Sequence, residues 1–289
     1  MPEKLIGLIA HTAKPGAAPL VQTLADEFKK RGAPVKLEKR TAALVRRSQG
    51  VSTPRLGEIC DILVVLGGDG TILQVVNDLG KNIKPIFGIN LGSLGFLTCV
   101  NSSAYLKAVD AILARDYVLS QRTLLAVEII RKGRIIARFT GLNDAVISRG
   151  ALSRLIRLDA RIDDSVLTEY NADGLIIATA TGSTAYSLSA GGPILMPDSG
   201  VFVITPICPH VLTNRTVIVS DSSVIEVRPC RDQGEIFLAV DGHEPQHEVE
   251  CGDIIRIHKA KYSLPLAMLR EMSFSEVLRR KLKWGGSAL

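Results

Sequence analysis

The sequence predicts a chain of two domains: an α/β N-terminal domain with an open parallel sheet and an all-β C-terminal domain, a sandwich, with the last helix returning to the first domain. Three observations carry this. Short apolar runs alternate with helix-period segments over the first third of the chain. After about Tyr117 the pattern becomes one of closely spaced strands separated by Asp, Ser, Gly and Pro. Helix period then reappears in residues 274–283. The expected division is residues 1–120 plus 266–289 for the α/β domain and 121–265 for the β domain.

In order, residues 5–9 read as a strand. Residues 20–30 read as a helix, with Leu20, Leu24 and Phe28 on one face and Gly32 just beyond as its stop. Residues 35–37 suit a second strand. Residues 62–66 (ILVVL) form the continuous run expected of a central parallel strand buried on both faces. A helix over 72–79 and a strand over 86–89 complete a strand–helix–strand rhythm that calls for right-handed crossovers. In the second part, strands over 126–130 and 135–139 flank Lys132-Gly133, and strands over 155–162 and 166–169 flank Asp163-Asp164. Both are hairpin signals. Further strands are expected over 175–178, 201–204, 217–219, 224–227, 236–240 and 254–257.

Composition narrows the function. At 289 residues, 46% apolar and 22% charged, the chain is an ordinary folded protein. Its longest apolar runs are too short to cross a bilayer. No membrane role is expected, and no signal peptide is expected at its start. Five cysteines, widely spaced and without Cys-x-x-Cys, suit a reducing compartment, hence the cytoplasm. A net charge of +6 suits an anionic substrate. With 4% aromatic residues, none interleaved with basic runs, no nucleic-acid partner is expected.

The strongest local signal is Gly67-Gly68-Asp69-Gly70-Thr71, directly after the run at 62–66. A Gly-rich turn at the carboxyl end of a parallel strand lets backbone N–H groups meet phosphate, and the following helix start adds positive potential. The carboxylate between the glycines is unusual. Asp69 repels phosphate unless it serves a metal or accepts a proton; the plain alternative is a turn in which it caps the next helix. Rival motifs fail. Gly80-Lys81 is followed by Asn82 and has Val75 where a P-loop needs glycine. Leu73 stands where a dinucleotide fingerprint needs its third glycine. No Gly-x-Ser-x-Gly elbow exists. His243-Glu244-Pro245-Gln246-His247 spells the zincin string, but Pro245 forbids a helix carrying both histidines one turn apart, so no zinc or other protein-held metal is expected.

Two further stretches carry polar chemistry. In Asn143-Asp144 the amide can pair with an adenine edge and the carboxylate can accept from a ribose diol; a simple turn is the alternative. Residues 173–193 (DGLIIATATGSTAYSLSAGGP) offer hydroxyls, backbone N–H groups and one ring, Tyr186; the alternative is a tight small-residue crossover.

Taken together, residues 67–71, Gly88 through Gly92 to Gly95-Phe96-Leu97, Asn143-Asp144 and the whole 173–193 stretch resemble the NAD kinase family, in order and over most of the chain. The 67–71 motif is shared with lipid kinases and phosphofructokinase-like enzymes; the 173–193 stretch is specific. The resemblance implies a bacterial-type, ATP-dependent enzyme that phosphorylates the 2′-hydroxyl of the adenosine ribose of NAD, giving NADP and ADP. It implies a nucleotide-binding first domain, an NAD-binding second domain, a divalent cation (Mg²⁺ with ATP) and a homodimer or homotetramer.

Residue by residue, the resemblance makes Asp69 the proton acceptor. Gly67, Gly68, Gly70 and Thr71 become nucleotide contacts. Asn143 and Asp144 hold adenosine. Asp173, Thr184, Ala185, Tyr186, Ser187, Leu188 and Ser189 line the pocket for the bases. Arg154, Asn171 and His243 fall at positions that contact substrate in relatives. The family usually has Glu where this chain has Asp144. A lipid or sugar kinase using the same nucleotide motif, or a non-catalytic NAD(H)-sensing module, are the competing readings. The first is disfavoured by the 173–193 stretch and the second by the presence of Asp69.

Overall fold

A computed structural model describes residues 4–93, 95–150, 155–211, 213–230, 234–242 and 247–284. The chain forms two compact units, Met1–Gln121 with Leu264–Leu289, and Arg122–Ser263.

The first unit opens with β1 (Ile6–Ala10), α1 (Ala17–Lys30), β2 (Val35–Glu38), α2 (Lys39–Leu44), β3 (Gly50–Val51), α3 (Thr53–Ile59) and β4 (Ile62–Gly67). It continues through α4 (Asp69–Leu79), β5 (Ile86–Asn90), β6 (Val100–Asn101), α5 (Tyr105–Ala114) and β7 (Val118–Arg122). α2, α3 and α5 went unpredicted. α2 is a short helix started by an unusual cap: the Glu38 carboxylate accepts from the N–H groups of Arg40 and Thr41, each at 2.9 Å.

The second unit holds β8 (Leu125–Arg131), β9 (Arg134–Gly141), β10 (Asp144–Arg149), β11 (Ile156–Ile162), β12 (Ser165–Ala172) and β13 (Gly174–Thr179). A single turn, α6 (Tyr186–Ser189), precedes β14 (Val201–Ile207), β15 (Val217–Ser220), β16 (Ile225–Pro229), β17 (Ile236–Val240), β18 (His247–Val249) and β19 (Ile254–Lys259). Two six-stranded sheets result, β15-β14-β13-β10-β17-β18 and β12-β11-β16-β19-β8-β9. Their inner faces meet in one core that includes Val127, Ile147, Leu158, Ile177, Ile204, Leu238 and Ile257. Lys132-Gly133 and Asp163-Asp164 turn their hairpins with positive φ at both residues, which matches the twist of paired strands. β13 is buried along its whole length because its outer face is covered too: Ile176 and Ala178 pack with Val146, Val203, Ala190 and Leu195.

The chain then returns to the first unit with β20 (Leu264–Met268) and α7 (Phe274–Leu282). The strand order there is β3-β2-β1-β4-β5-β20-β7, with β6 beside β5. β1 through β6 and β20 pair in parallel. One face buries Ile6, Leu8, Val64 and Leu66 under Val21, Leu24 and Phe28 of α1 and Val109 and Ile112 of α5. The alternate residues Leu63 and Val65 are equally buried on the other face, the side of Ile72 and Leu56. That two-sided burial explains the unbroken apolar run of β4. The chain leaves β1 toward β2 on one side and resumes at β4 on the other, so the sheet's switch point lies between β1 and β4, directly below the Gly67–Thr71 turn.

Candidate functional site

In the first unit, β4 ends at Gly67 and α4 begins at Asp69. The Thr71 hydroxyl accepts from the Gly68 N–H at 3.3 Å, and its side chain lies where a Cβ on Gly67 would be, so only glycine fits there. The N–H groups of Asp69 and Gly70 start α4 without helical partners, while that of Thr71 already donates to the Gly68 carbonyl at 3.0 Å. Gly70 is exposed, with open space over it. The Lys14 ammonium, from the segment after β1, stands over Gly68 and Gly92, 3.7 and 4.0 Å from where their Cβ atoms would be. Among the described residues it makes no ion pair.

Asp69 does not cap its own helix, which corrects the turn-and-cap alternative. Its carboxylate is turned to the loop after β5, accepting from the Phe96 N–H at 2.8 Å and the Leu97 N–H at 3.0 Å. Each oxygen keeps a further lone pair. The side chain is half-buried. Asn90, at the end of β5, shapes the start of the same loop: its amide donates to the Ser93 carbonyl and accepts from the Gly92 N–H.

Beside this turn lies a cavity of about 630 Å³, a size that suits a small-molecule ligand. It runs over the carboxyl ends of β1, β2 and β4, with Gly68, Gly70 and Thr71 on its wall and His11, Lys14, Glu38 and Arg40 among its charged or polar lining. Glu38 is committed to α2. Thr41 Oγ1 donates to it and accepts from the Ala10 N–H, tying the end of β1 to the end of β2.

In the second unit, the start of β10, the end of β13 and the end of β17 converge. Asn143 and Asp144 are not a free turn: Asp144 opens a central strand. The Asp241 carboxylate gathers the N–H groups of Leu142, Asn143 and Asp144 at 2.7, 2.7 and 3.1 Å, and the Asp241 N–H donates to the Asp144 carbonyl at 2.9 Å. The Asn143 carbonyl accepts from the Thr179 N–H at 2.8 Å and occupies the place of a Cβ on Gly182, which makes glycine obligatory there. The Asp144 carboxylate is 5% exposed and has no hydrogen-bond or ion-pair partner among the described residues. Burial, and then the nearby Asp241 charge, push its carboxyl up from 3.8 to about 7. A buried carboxylate without a partner is unfavourable in a free-standing fold and marks a place for a ligand.

The hydroxyls of the 179–187 stretch are largely committed to the fold. Thr179 Oγ1 donates to the Leu142 carbonyl at 2.6 Å and Ser183 Oγ to the Ala180 carbonyl at 2.7 Å. Thr184 Oγ1 donates to the Thr181 carbonyl at 3.2 Å. Ser187 is fully buried and shares a hydrogen bond with Thr205 at 3.0 Å. Tyr186 and Ser189 are exposed; Thr184, Ala185 and Leu188 are half-buried. Asp173 pairs with Arg149 at 2.6 Å. Asn171 lies on β12, its carbonyl accepting from the His210 N–H. Arg154 and His243 lie outside the described residues. His247, the second histidine of the zincin string, starts strand β18 and pairs with Leu238, not with a helix. Among the described residues no three His, Cys, Asp or Glu side chains are grouped to hold a metal ion, and no helix is long and apolar enough to cross a membrane.

Lys14, Asp241 and the loop N–H groups of Phe96 and Leu97 were not singled out by sequence reasoning. Lys14 and Asp241 follow strand ends, where ligand loops gather, and that was the one signal available for them.

Residues 6–117 match the family of ATP-NAD kinase N-terminal domains, and residues 142–269 that of ATP-NAD kinase C-terminal domains. The chain is 39% identical over 282 residues to the NAD kinase of Solibacter usitatus, covering 98% of each. It is 45% identical over 236 residues to the NAD kinase of Geobacter metallireducens, covering 82% of this chain and 83% of that one. Among solved structures it is similar to yeast NADH kinase complexed with NADH, with a TM-score of 0.89 and 27% identity, covering 100% of this chain and 90% of that one. Its fold is also that of the Archaeoglobus fulgidus NAD kinase in complex with ATP, with a TM-score of 0.76 and 24% identity over 98% of this chain and 100% of that one.

Proposed function

The chain belongs to the NAD kinase family and is an ATP-dependent kinase, and on that premise we propose how its residues divide the reaction. The first unit takes MgATP. The phosphates lie over Gly67, Gly68, Gly70 and Thr71 at the start of α4, where backbone N–H groups and the helix dipole favour anions. Lys14 adds a cation at the same place. The nucleoside part extends into the cavity over β1 and β2. A divalent cation carried by the nucleotide would supply the positive charge that screens Asp69 from the phosphates.

The second unit takes the adenosine of NAD. The Asn143 amide pairs with the adenine edge and the Asp144 carboxylate accepts from the ribose diol. Tyr186 offers its exposed ring to a base, with Thr184, Ala185, Leu188 and Ser189 around it. Ser187 supports the turn from inside. Asp173 meets substrate while held by Arg149. Asn171, Arg154 and His243 supply further contacts.

The observation that carries the reading is the state of Asp69: a half-buried carboxylate, fixed by two backbone N–H groups, at a helix start beside an open glycine. Its remaining lone pairs accept the hydrogen bond of the 2′-hydroxyl and aim the oxygen at the γ-phosphorus. The oxygen–phosphorus bond forms as the bond to the β-phosphate oxygen of ADP breaks, through a loose transition state. The proton passes late to Asp69. A carboxylate is a weak base toward a sugar hydroxyl, so orientation is as much its contribution as basicity. We place the protein in the cytoplasm as a symmetric homodimer or homotetramer.

The test is direct. Purified protein is mixed with NAD, ATP and Mg²⁺, and any NADP is coupled to an NADP-specific dehydrogenase. NADP forms, and chelating the metal stops it. Folded protein that yields no NADP with ATP or with polyphosphate overturns the enzyme reading in favour of an NAD(H) sensor.

A further inference from the structure

We propose that Phe274, the first residue of α7, is a positioning residue for Asp69, acting through Phe96. The Asp69 carboxylate takes its direction from the backbone of the loop after β5, through the N–H groups of Phe96 and Leu97. That loop closes tightly on the carboxylate. A Cβ on Gly95 would occupy the Asp69 side chain's own place, so glycine is required there. The far side of the loop is pinned by the Gly95 N–H on Thr98 Oγ1 at 2.9 Å and by the Cys99 N–H on the Gly88 carbonyl at 2.9 Å. The Phe96 side chain has a different anchor. Its ring packs on Phe274, with centroids 6.1 Å apart and planes tilted by 42°.

One residue thus carries both the ring that meets α7 and the N–H that meets Asp69. Moving the ring moves the donor. α7 itself is lightly seated. Val277 is its only buried side chain, and cavities of about 270 and 320 Å³ lie beside it, both lined by Val277 and Arg280. The Ser273 side chain caps the helix by accepting from the Glu276 N–H at 3.1 Å, which starts the helix at Phe274 and fixes where its ring emerges. The seating of the C-terminal helix therefore sets the aim of the carboxylate from the opposite end of the chain.

The proposal rests on Asp69 as the group that orients the 2′-hydroxyl, and the experiment separates the two. Phe274→Leu, Phe96→Leu, the double variant, Phe274→Tyr and Asp69→Asn are compared in full-length protein for kcat, KM for NAD and for ATP, and melting temperature. Phe274→Leu lowers kcat roughly 10- to 100-fold, the scale of a misaimed group, with both KM values nearly unchanged. Phe274→Tyr keeps the ring and restores the rate. The double variant is no slower than Phe96→Leu alone, because both act through one contact. Parent-like kcat in Phe274→Leu, or additive losses in the double variant, overturns the positioning role while a slow Asp69→Asn leaves the reading of Asp69 standing. Parent-like kcat in Asp69→Asn overturns both.

Discussion

Asp144→Asn is expected to make this protein more stable and a poorer enzyme. The Asp144 carboxyl is 5% exposed and held at about 7 in the folded chain, chiefly by burial and then by the Asp241 charge, against 3.8 without the fold. Below pH 3.8 it is protonated in both states and has no effect. Between 3.8 and about 7 the unfolded chain ionises while the folded one keeps its proton, so stability falls as pH rises. Above about 7 both are ionised and the loss is constant. At 1.36 kcal/mol per pH unit the full loss is about 4 kcal/mol, an upper bound because the site relaxes and admits water. The neutral amide escapes this loss but leaves its own buried donor unpaired, which costs roughly 1–3 kcal/mol. A net gain of at most about 1–3 kcal/mol remains at pH 8, worth about 2–4 °C in Tm for each kcal/mol in a unit of this size. Calorimetric scans of both proteins at pH 5 and pH 8 read it. The advantage of Asp144→Asn shrinks at pH 5. Meanwhile KM for NAD rises, since a charge-assisted bond to the ribose is lost. A variant that melts below the parent at pH 8, or a difference independent of pH, refutes the reasoning.

Two further substitutions probe other parts of the site. Lys14→Met removes the cation over Gly68, and KM for ATP rises by about tenfold or more, the scale of one charged hydrogen bond, with KM for NAD unchanged; steady-state kinetics in each substrate decide it. Gly182→Ala drives a Cβ against the Asn143 carbonyl, a backbone atom that cannot step aside. It lowers stability by about 1–3 kcal/mol and raises KM for NAD together, which thermal melts and kinetics on one preparation show.

What was legible in the sequence followed from burial and turn chemistry. The run at 62–66 announced a strand covered on both faces, and β4 is one. Lys132-Gly133 and Asp163-Asp164 announced hairpins because few residues tolerate two successive positive φ values. α2 and α3 stayed hidden because six- and seven-residue helices give too few turns to show a period, and Glu38 caps α2 without the usual signature. β10 was masked by Asn143-Asp144, which is turn chemistry locally; it is a strand because β13 and β17, from distant segments, pair with it on either side, while Asp241, about 100 residues away, collects the N–H groups of Leu142, Asn143 and Asp144. The site was half legible for the same reason. The Gly67–Thr71 turn is contiguous and reads as a phosphate cradle. The partners that aim Asp69 are backbone N–H groups, which leave no mark on residue type, and the Asp241 carboxylate that gathers the backbone N–H groups around Asp144 comes from a distant segment.

The most direct test of the whole account is Asp69→Asn, which keeps the shape and removes the charge and the basicity. Steady-state rates are measured beside calorimetric titration with NAD. We predict a fall in kcat of about 10²–10⁴, the range for a lost general base, with NAD affinity little changed. A near-normal kcat would reduce Asp69 to a turn residue and contradict the assignment of phosphoryl transfer to this site.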